Sequence, residues 1–432
     1  MTQVTARPRV VIVGAGFGGL WAARGLARSG ADVILIDRNN YHTFLPLLYQ
    51  VAASELSASD IAFPIRSLLR HMPNVHFLMA QVEAIKPEAS IVQTTVGEIP
   101  YDFLVLAVGS IAHFFGIIGA GEHAYPLKTI ADANALRNHI LSCFESAAHE
   151  SDAHKREQIL TFVIVGGGPT GVEFAGALSE LIHGPLYQDY YALDLREVRI
   201  VLLEAIDHLL NTLPTKLGDY AFKRLKKMGV QVHLGAAVSK ISSDAVQLQD
   251  GTTIPSGTVI WTAGVQGAAD SEWGLPTTKN GQIAVLPTLQ VPNYPHIYVI
   301  GDLARLEQNG ERLPMLAPVA MQAGTAAAQN ITRELRNQSQ LPFVYHDRGT
   351  LATIGRNAAV ADIWGHAFTG FFAWLIWLTI HIYNLMSMRN RLIVLISWAW
   401  DYFFFERGVR LILANPPPQP HEFESSLHEI KE

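Results

Sequence analysis

The apolar residues of this chain gather in short solid runs. "VVIV" (10–13), "VILI" (33–36), "FLVL" (103–106), "FVIV" (162–165), "IVLL" (200–203), "TVIW" (258–261) and "IYVI" (297–300) have almost no polar interruption. Such runs, rich in Val and Ile, predict strands buried on both faces, as in a parallel sheet covered by helices. Two of them end in glycine clusters of one design. "RVVIVGAGFGGL" places Gly14, Gly16 and Gly19 after its strand, and "FVIVGGGPTGVEFAG" places Gly166, Gly168 and Gly171 after another. In G-x-G-x-x-G the first glycine permits a tight turn. The second lets backbone approach a pyrophosphate, and the third lets helix pack closely on strand. The helix that follows aims free N–H groups and its positive dipole end at the phosphates. Two such turns predict two dinucleotides in two Rossmann-like α/β domains.

The next strand of each unit ends in an acid. "DVILID" closes on Asp37, near the ~20-residue offset at which a carboxylate meets a ribose hydroxyl. "RIVLLE" closes on Glu204, farther from its glycines than usual. The stretch "IHGPLYQDYYALDLREV" supplies the excess as a lengthened helix or a loop. A carboxylate there accepts from a 2′-hydroxyl and repels a 2′-phosphate, which favours NADH over NADPH. "YDFLVLAVGS" ends a strand in a small-residue turn at Gly109. "IYVIGDLARL" puts Asp302 just after a buried strand, where it can hold a polyol hydroxyl.

The pattern changes near the C-terminus. Ala367 to Met388 contains no Asp, Glu, Lys or Arg, which is long enough to span a bilayer. Yet Trp374, Trp377, His381, Asn384 and Ser387 form a polar-capable stripe at helical spacing, unsuited to mid-bilayer. A second Trp-rich apolar run follows, to Phe405, with mild positive charge. Helices lying in a membrane surface are the favoured reading. A buried interface of a homodimer and a single spanning helix are the other two.

Composition narrows the class. The chain has 432 residues, enough for two or three domains, and a net charge of −6 that argues against nucleic acid. Mean hydropathy is +0.18, high for a soluble enzyme. The first strand begins by Val10 with no apolar signal stretch before it, so no secretory leader is expected. Cys143 is the only cysteine. One thiol cannot form an intrachain redox disulfide, so dithiol chemistry is excluded. Cys143 reads as a small buried hydrophobe. No Cys/His spacing suggests a metal.

Four segments carry a closer likeness. "DRNNYHTFLPLLYQVAAS", "GGGPTGVEFAGAL", "DRGTLATIGRNAAVADI" and "MRNRLIVLISWAWDYFFFERGVRLIL" resemble the type II NADH:quinone oxidoreductases, across nearly the whole chain. The resemblance implies a single-subunit FAD enzyme that passes two electrons from NADH to a membrane quinone without pumping protons. It implies a peripheral seat on the cytoplasmic side of the cell membrane. It assigns Gly14, Gly16, Gly19, Asp37, Arg38, Gly109 and Asp302 to FAD, and Gly166, Gly168, Gly171 and Glu204 to NADH. His42 and Gln50 fall near the flavin by the same likeness, although His42 reads equally as a structural histidine.

The family's quinone motif is A-Q-x-A-x-Q, and here "APVAMQ" keeps Ala320 and Gln322 but has Pro318 in place of the first glutamine. The same stretch also reads as a plain helix start, with Pro318 near its first position. Glu173 matches the glutamate of the family's T-G-x-E, which relays a proton. Its other reading is a first-turn carboxylate favoured by the helix dipole. Residues 1–125 and 275–345 are expected to form the FAD domain. Residues 126–274 are expected to form the inserted NADH domain, and 346–432 a C-terminal membrane-associating region. The rival reading is a soluble NADH-dependent flavin reductase serving a ferredoxin-type carrier.

Overall fold

A computed structural model describes residues 7–413. The chain opens with β1 (Arg9–Val13), α1 (Phe17–Leu26), β2 (Asp32–Asp37), α2 (Leu48–Ala52), β3 (Val75–Met79) and β4 (Phe103–Leu106). Next come β5 (Ala124–Pro126), α3 (Ile130–His149), β6 (Thr161–Val165), α4 (Pro169–Leu181), β7 (Arg199–Leu203), α5 (Thr215–Lys227), β8 (Val230–His233) and β9 (Thr258–Trp261). After them follow β10 (Gln290–Val291), β11 (Tyr294–Val299) and α6 (Ala317–Glu334).

Two sheets result. The first runs β10-β11-β4-β1-β2-β3 and the second β5-β9-β6-β7-β8. Apart from the β10–β11 pair, both are parallel. Each puts its glycine-bearing strand between the acid-bearing strand and a later one, the doubly wound order whose switch point takes a dinucleotide. Val10 pairs Val33 and Phe103, and Phe162 pairs Ile200 and Thr258. Every side chain of "VVIV" and "FVIV" is buried, as solid apolar runs require. β5 already belongs to the second sheet, so that sheet starts just ahead of the boundary expected between 125 and 126.

α1 lies against α6 at close range. A Cβ on Gly25 would collide with the Ala328 side chain, and one on Gly324 with the Gly18 carbonyl. The excess between Gly166 and Glu204 proves to be helix as far as Asp189, then a turn and a short 3-10 segment, Leu195–Glu197. α4 continues into a π-turn, Ile182–Leu186, around Pro185, which has no N–H to give.

The C-terminal part is a three-stranded antiparallel sheet followed by two helices. The strands are β12 (Thr350–Thr353), β13 (Ala359–Ile363) and β14 (His366–Gly370). The helices are α7 (Phe371–Asn384) and α8 (Met388–Phe404). This corrects the spanning reading. The uncharged stretch 367–388 is not one helix. Gly370, at φ +76°, turns strand into helix, and Ser387 caps the start of α8. α7 is about 21 Å long at 1.5 Å per residue, short of a ~30 Å hydrocarbon core. Among the described residues no helix is long and apolar enough to cross a membrane. The expected stripe also divides. Trp377 and His381 pack inward, Asn384 is exposed, and Ser387 is a cap.

Arg407 fastens this part to both domains. Buried itself, it donates to the carbonyls of Ala53 (2.9 Å) and Ala177 (3.0 Å) and to Glu55 (2.8 Å). Asn390 donates to the Asp60 carbonyl at 2.8 Å.

Candidate active site

The two glycine turns are superimposable in design. Gly14 and Gly166 sit at φ +100° and +111°, where only glycine is unstrained. A Cβ on Gly19 would strike the Gly14 carbonyl, and one on Gly171 the Gly166 carbonyl. Gly16 and Gly168 face open space and begin their helices with no side-chain cap. Bare helix N-termini behind an open cradle fit the pyrophosphates of two dinucleotides.

Asp37 accepts from the Ala15 N–H (2.7 Å) and the Asn39 N–H (2.8 Å). Glu204 accepts from the Gly167 N–H (2.6 Å) and the Ile206 N–H (3.1 Å). Despite its longer offset, Glu204 reaches the same place beside its glycine loop. Burial raises the carboxyl pKa of Asp37. Arg38, next to it, is exposed. Gly109 has φ +76°, with open space around it.

Asp302 accepts from the Ser110 hydroxyl at 2.6 Å, and Lys128 Nζ donates to the same hydroxyl at 2.9 Å. Burial lowers the Lys128 pKa. Ser110 and Lys128 escaped sequence reasoning, because nothing local marks them as partners of a residue nearly 200 positions on. His42 Nδ1 is 2.8 Å from the Ala15 carbonyl, and its ring meets Phe17 edge-on. Its pKa falls to about 4 through burial, so it is a neutral support of the first glycine loop. Its Nε2 has no partner among the described residues. Gln50 is buried. It takes the Trp398 indole N–H at 2.9 Å and donates to the Tyr49 hydroxyl at 3.1 Å, a tie to α8.

Between α1, α4, α6 and α7 lies a cavity of about 870 Å³. Phe17, Trp21, Phe44, Glu173, Pro318 and Gln322 are among its lining residues. Pro318 does start α6, as the helix reading expected. Gln322 is in the wall, but its amide is engaged. It donates to the His346 carbonyl and accepts from the His346 N–H, each at 3.0 Å. Ala320 is behind the wall, packed near Gly301. One residue from a lining position on a helix turns a side chain by about 100°, here onto the protein.

Glu173 is the one carboxylate in that lining. It is the fifth residue of α4 and 8% exposed, not the first-turn surface acid of the dipole reading. The Thr353 N–H donates to it at 3.3 Å. The Trp377 indole faces it without closing a hydrogen bond. Burial pushes its pKa up to about 8, against the pull of Thr353. A buried carboxyl with a raised pKa, lining a cavity of this size, is a candidate for proton transfer. Cys143 is buried against His139 and Thr258, with burial raising its pKa. Among the described residues no cluster of metal ligands occurs.

Residues 8–324 match the family described as pyridine nucleotide-disulphide oxidoreductase, and residues 347–407 match the NDH2 C-terminal domain. The chain is 38% identical over 422 residues to the type II NADH:quinone oxidoreductase Ndh of Mycobacterium tuberculosis, covering 94% of this chain and 90% of the relative. It is 31% identical over 373 residues to the enzyme of that name from Staphylococcus aureus, covering 84% and 92%. NDH2 from Plasmodium falciparum, solved in complex with NADH, has the same fold at a TM-score of 0.85 and 20% identity, covering 94% of this chain and all of that one. Two glycine cradles, one cysteine and a C-terminal sheet-and-helix unit sealing a carboxyl-bearing cavity agree with these likenesses: the chain belongs to the type II NADH:quinone oxidoreductases.

Proposed function

We propose that the protein takes two electrons from NADH through FAD to a membrane quinone without moving protons across the membrane, from a seat on the cytoplasmic surface. The observation that carries this reading is Glu173, a buried carboxyl whose pKa burial raises. It stands where the NADH-domain helix meets a large cavity walled by both domains and the C-terminal helices. Bound FAD supplies the hydride and electron chemistry, and the protein supplies position and a proton. The Gly14–Gly19 turn, Asp37 and the Asp302–Ser110–Lys128 group hold FAD. The Gly166–Gly171 turn and Glu204 hold NADH and disfavour the 2′-phosphate of NADPH. The quinone headgroup enters the cavity beside Gln322, and Glu173 gives it a proton.

The membrane seat rests on an exposed apolar face. Phe372 on α7 and Leu395, Ile396, Trp400 and Phe403 on α8 are all at least half exposed. A large apolar patch flanked by Arg389 and Arg391 suits an anionic lipid surface. A soluble carrier's reductase would show a charged face there instead.

The test uses the full-length flavoprotein with lipid vesicles carrying a long-tailed quinone. We expect it to float with the vesicles in high salt and to oxidise NADH. Serine at Phe372, Leu395 and Phe403 together should weaken binding by about 100-fold or more, since each buried side chain is worth ~1.5–3 kcal/mol. Unchanged flotation would contradict the seat. Loss of a dimer instead would make the face a subunit interface.

A further inference from the structure

Glu173 has a second side. Behind it, between α7 and α8, lies another cavity, of about 640 Å³. Glu173, Glu55, Glu180, Asp401, Arg356 and Tyr49 all reach its wall. Glu173 is thus a partition between two spaces, one for substrate and one with no assigned use.

The acids of the second space form one cluster with Arg356 and Arg407, while Arg391 in the same wall stands apart, donating to the Leu385 and Tyr383 carbonyls. Arg407 lies 2.8 Å from Glu55, 3.4 Å from Glu180 and 3.7 Å from Asp401. Arg356 pairs with Asp401 at 3.4 Å, and its backbone N–H donates to Glu180. Exposure falls inward. The side chains of Glu180 and Asp401 are 22% and 19% exposed, that of Glu55 is 11%, and Glu173 is 8%. Burial lifts the Glu55 carboxyl to about 8 although Arg407 pulls it down. A charge on Glu55 is felt at Glu173. Tyr49, fully enclosed, feels Glu173, Glu55 and Glu180, and its phenol stays protonated.

The overall reaction, NADH + H⁺ + quinone → NAD⁺ + quinol, takes one proton from solution per turnover. If Glu173 gives that proton to a quinone oxygen, it is left as a buried carboxylate. At that moment the substrate cavity is filled, so the return proton must come from the other side. We propose that Glu55 reprotonates Glu173, drawing protons from the space between α7 and α8 through Glu180 and Asp401, with Arg407 positioning all three acids. In each cycle the Glu55 proton passes to the Glu173 carboxylate, and Glu55 regains one from solution, so no net charge builds up. The inference rests on the role of Glu173 proposed above.

The test compares the first turnover with later ones. Full-length enzyme is reduced with NADH, mixed rapidly with a short-tailed benzoquinone, and followed by flavin absorbance with and without excess NADH. Glu55→Gln should keep a first reoxidation near the wild-type rate, because Glu173 already carries its proton. Its later turnovers should slow by about tenfold or more. Millimolar formate, small enough to enter the cavity, should restore them, and Glu55→Asp should be intermediate. Glu173→Gln should slow the first turnover itself. A purely structural role for Glu55 would slow both phases alike and gain nothing from formate, and that result overturns the proposal. So do later turnovers at the wild-type rate. If Glu55→Gln does not retain flavin, Glu180→Gln carries the test, with the same split in smaller degree, and wild-type behaviour there overturns the proposal. A normal first turnover in Glu173→Gln would instead remove the role of Glu173 on which the inference stands.

Discussion

The two dinucleotide units share their three motif glycines and differ most in kind two residues past the third. There the first has Trp21 and the second has Glu173. Both side chains line the same cavity, because α1 and α4 approach it from opposite domains. Everything that grips a pyrophosphate is duplicated: the positive-φ glycine, the uncapped helix start, the acid accepting from the loop N–H. What differs is the group turned toward the reaction. Trp21 offers an apolar face, covered on one side by the Arg24 guanidinium at 4.6 Å. Glu173 offers a buried carboxyl. Binding is thus a backbone property that can be copied, and the proposed proton transfer falls where the copies diverge.

The largest effect should come from breaking the shared design. Gly19→Val puts a side chain into the Gly14 carbonyl and should yield protein without flavin, read from the visible spectrum after purification. Gly171→Val makes the same collision in the other unit. It should keep the flavin and slow its reduction by NADH by about 100-fold, the scale of a displacement near 1 Å. Loss of flavin from both variants would mean that the units do not act separately. Next, Glu204→Gln should narrow the preference for NADH over NADPH by about tenfold, or ~1.4 kcal/mol, in stopped-flow reduction. Equal wild-type rates with both nucleotides would remove that role. Smallest, Trp21→Phe keeps an apolar ring and should change the quinone KM by about two- to threefold, with flavin reduction by NADH unaltered.

Most of the fold was legible because solid apolar runs and glycine turns are local signals. The acid at the end of β7 was legible too, although its partner, the Gly167 N–H, could be found only after the inserted π-turn was seen. The C-terminal region was harder. An uncharged stretch gives length and hydrophobicity, but Gly370 and Ser387 divide it, and only backbone geometry shows that. The site was half legible. Glu173 stood out by motif, but its burial depends on Thr353 and Trp377 from the far end of the chain. Ala320 matched a motif, and its side chain packs near Gly301. Glu55, Lys128 and Arg407 carry no local signal, since their partners lie in other domains.

The proton on Glu173 is the centre of the account, and the pH dependence of one half-reaction tests it most directly. The enzyme is reduced by NADH, and reoxidation by quinone is followed in a single turnover from pH 6 to pH 10. Burial holds the Glu173 pKa up to about 8, so its donating form dominates below that pH and is lost above it. The wild-type rate should be flat at low pH and fall as pH rises through about 8. Glu173→Gln should be slower by about 100-fold at neutral pH and should lack that fall, while NADH still reduces its flavin at the wild-type rate. A variant that reoxidises at the wild-type rate, or keeps the same fall with pH, would contradict the account.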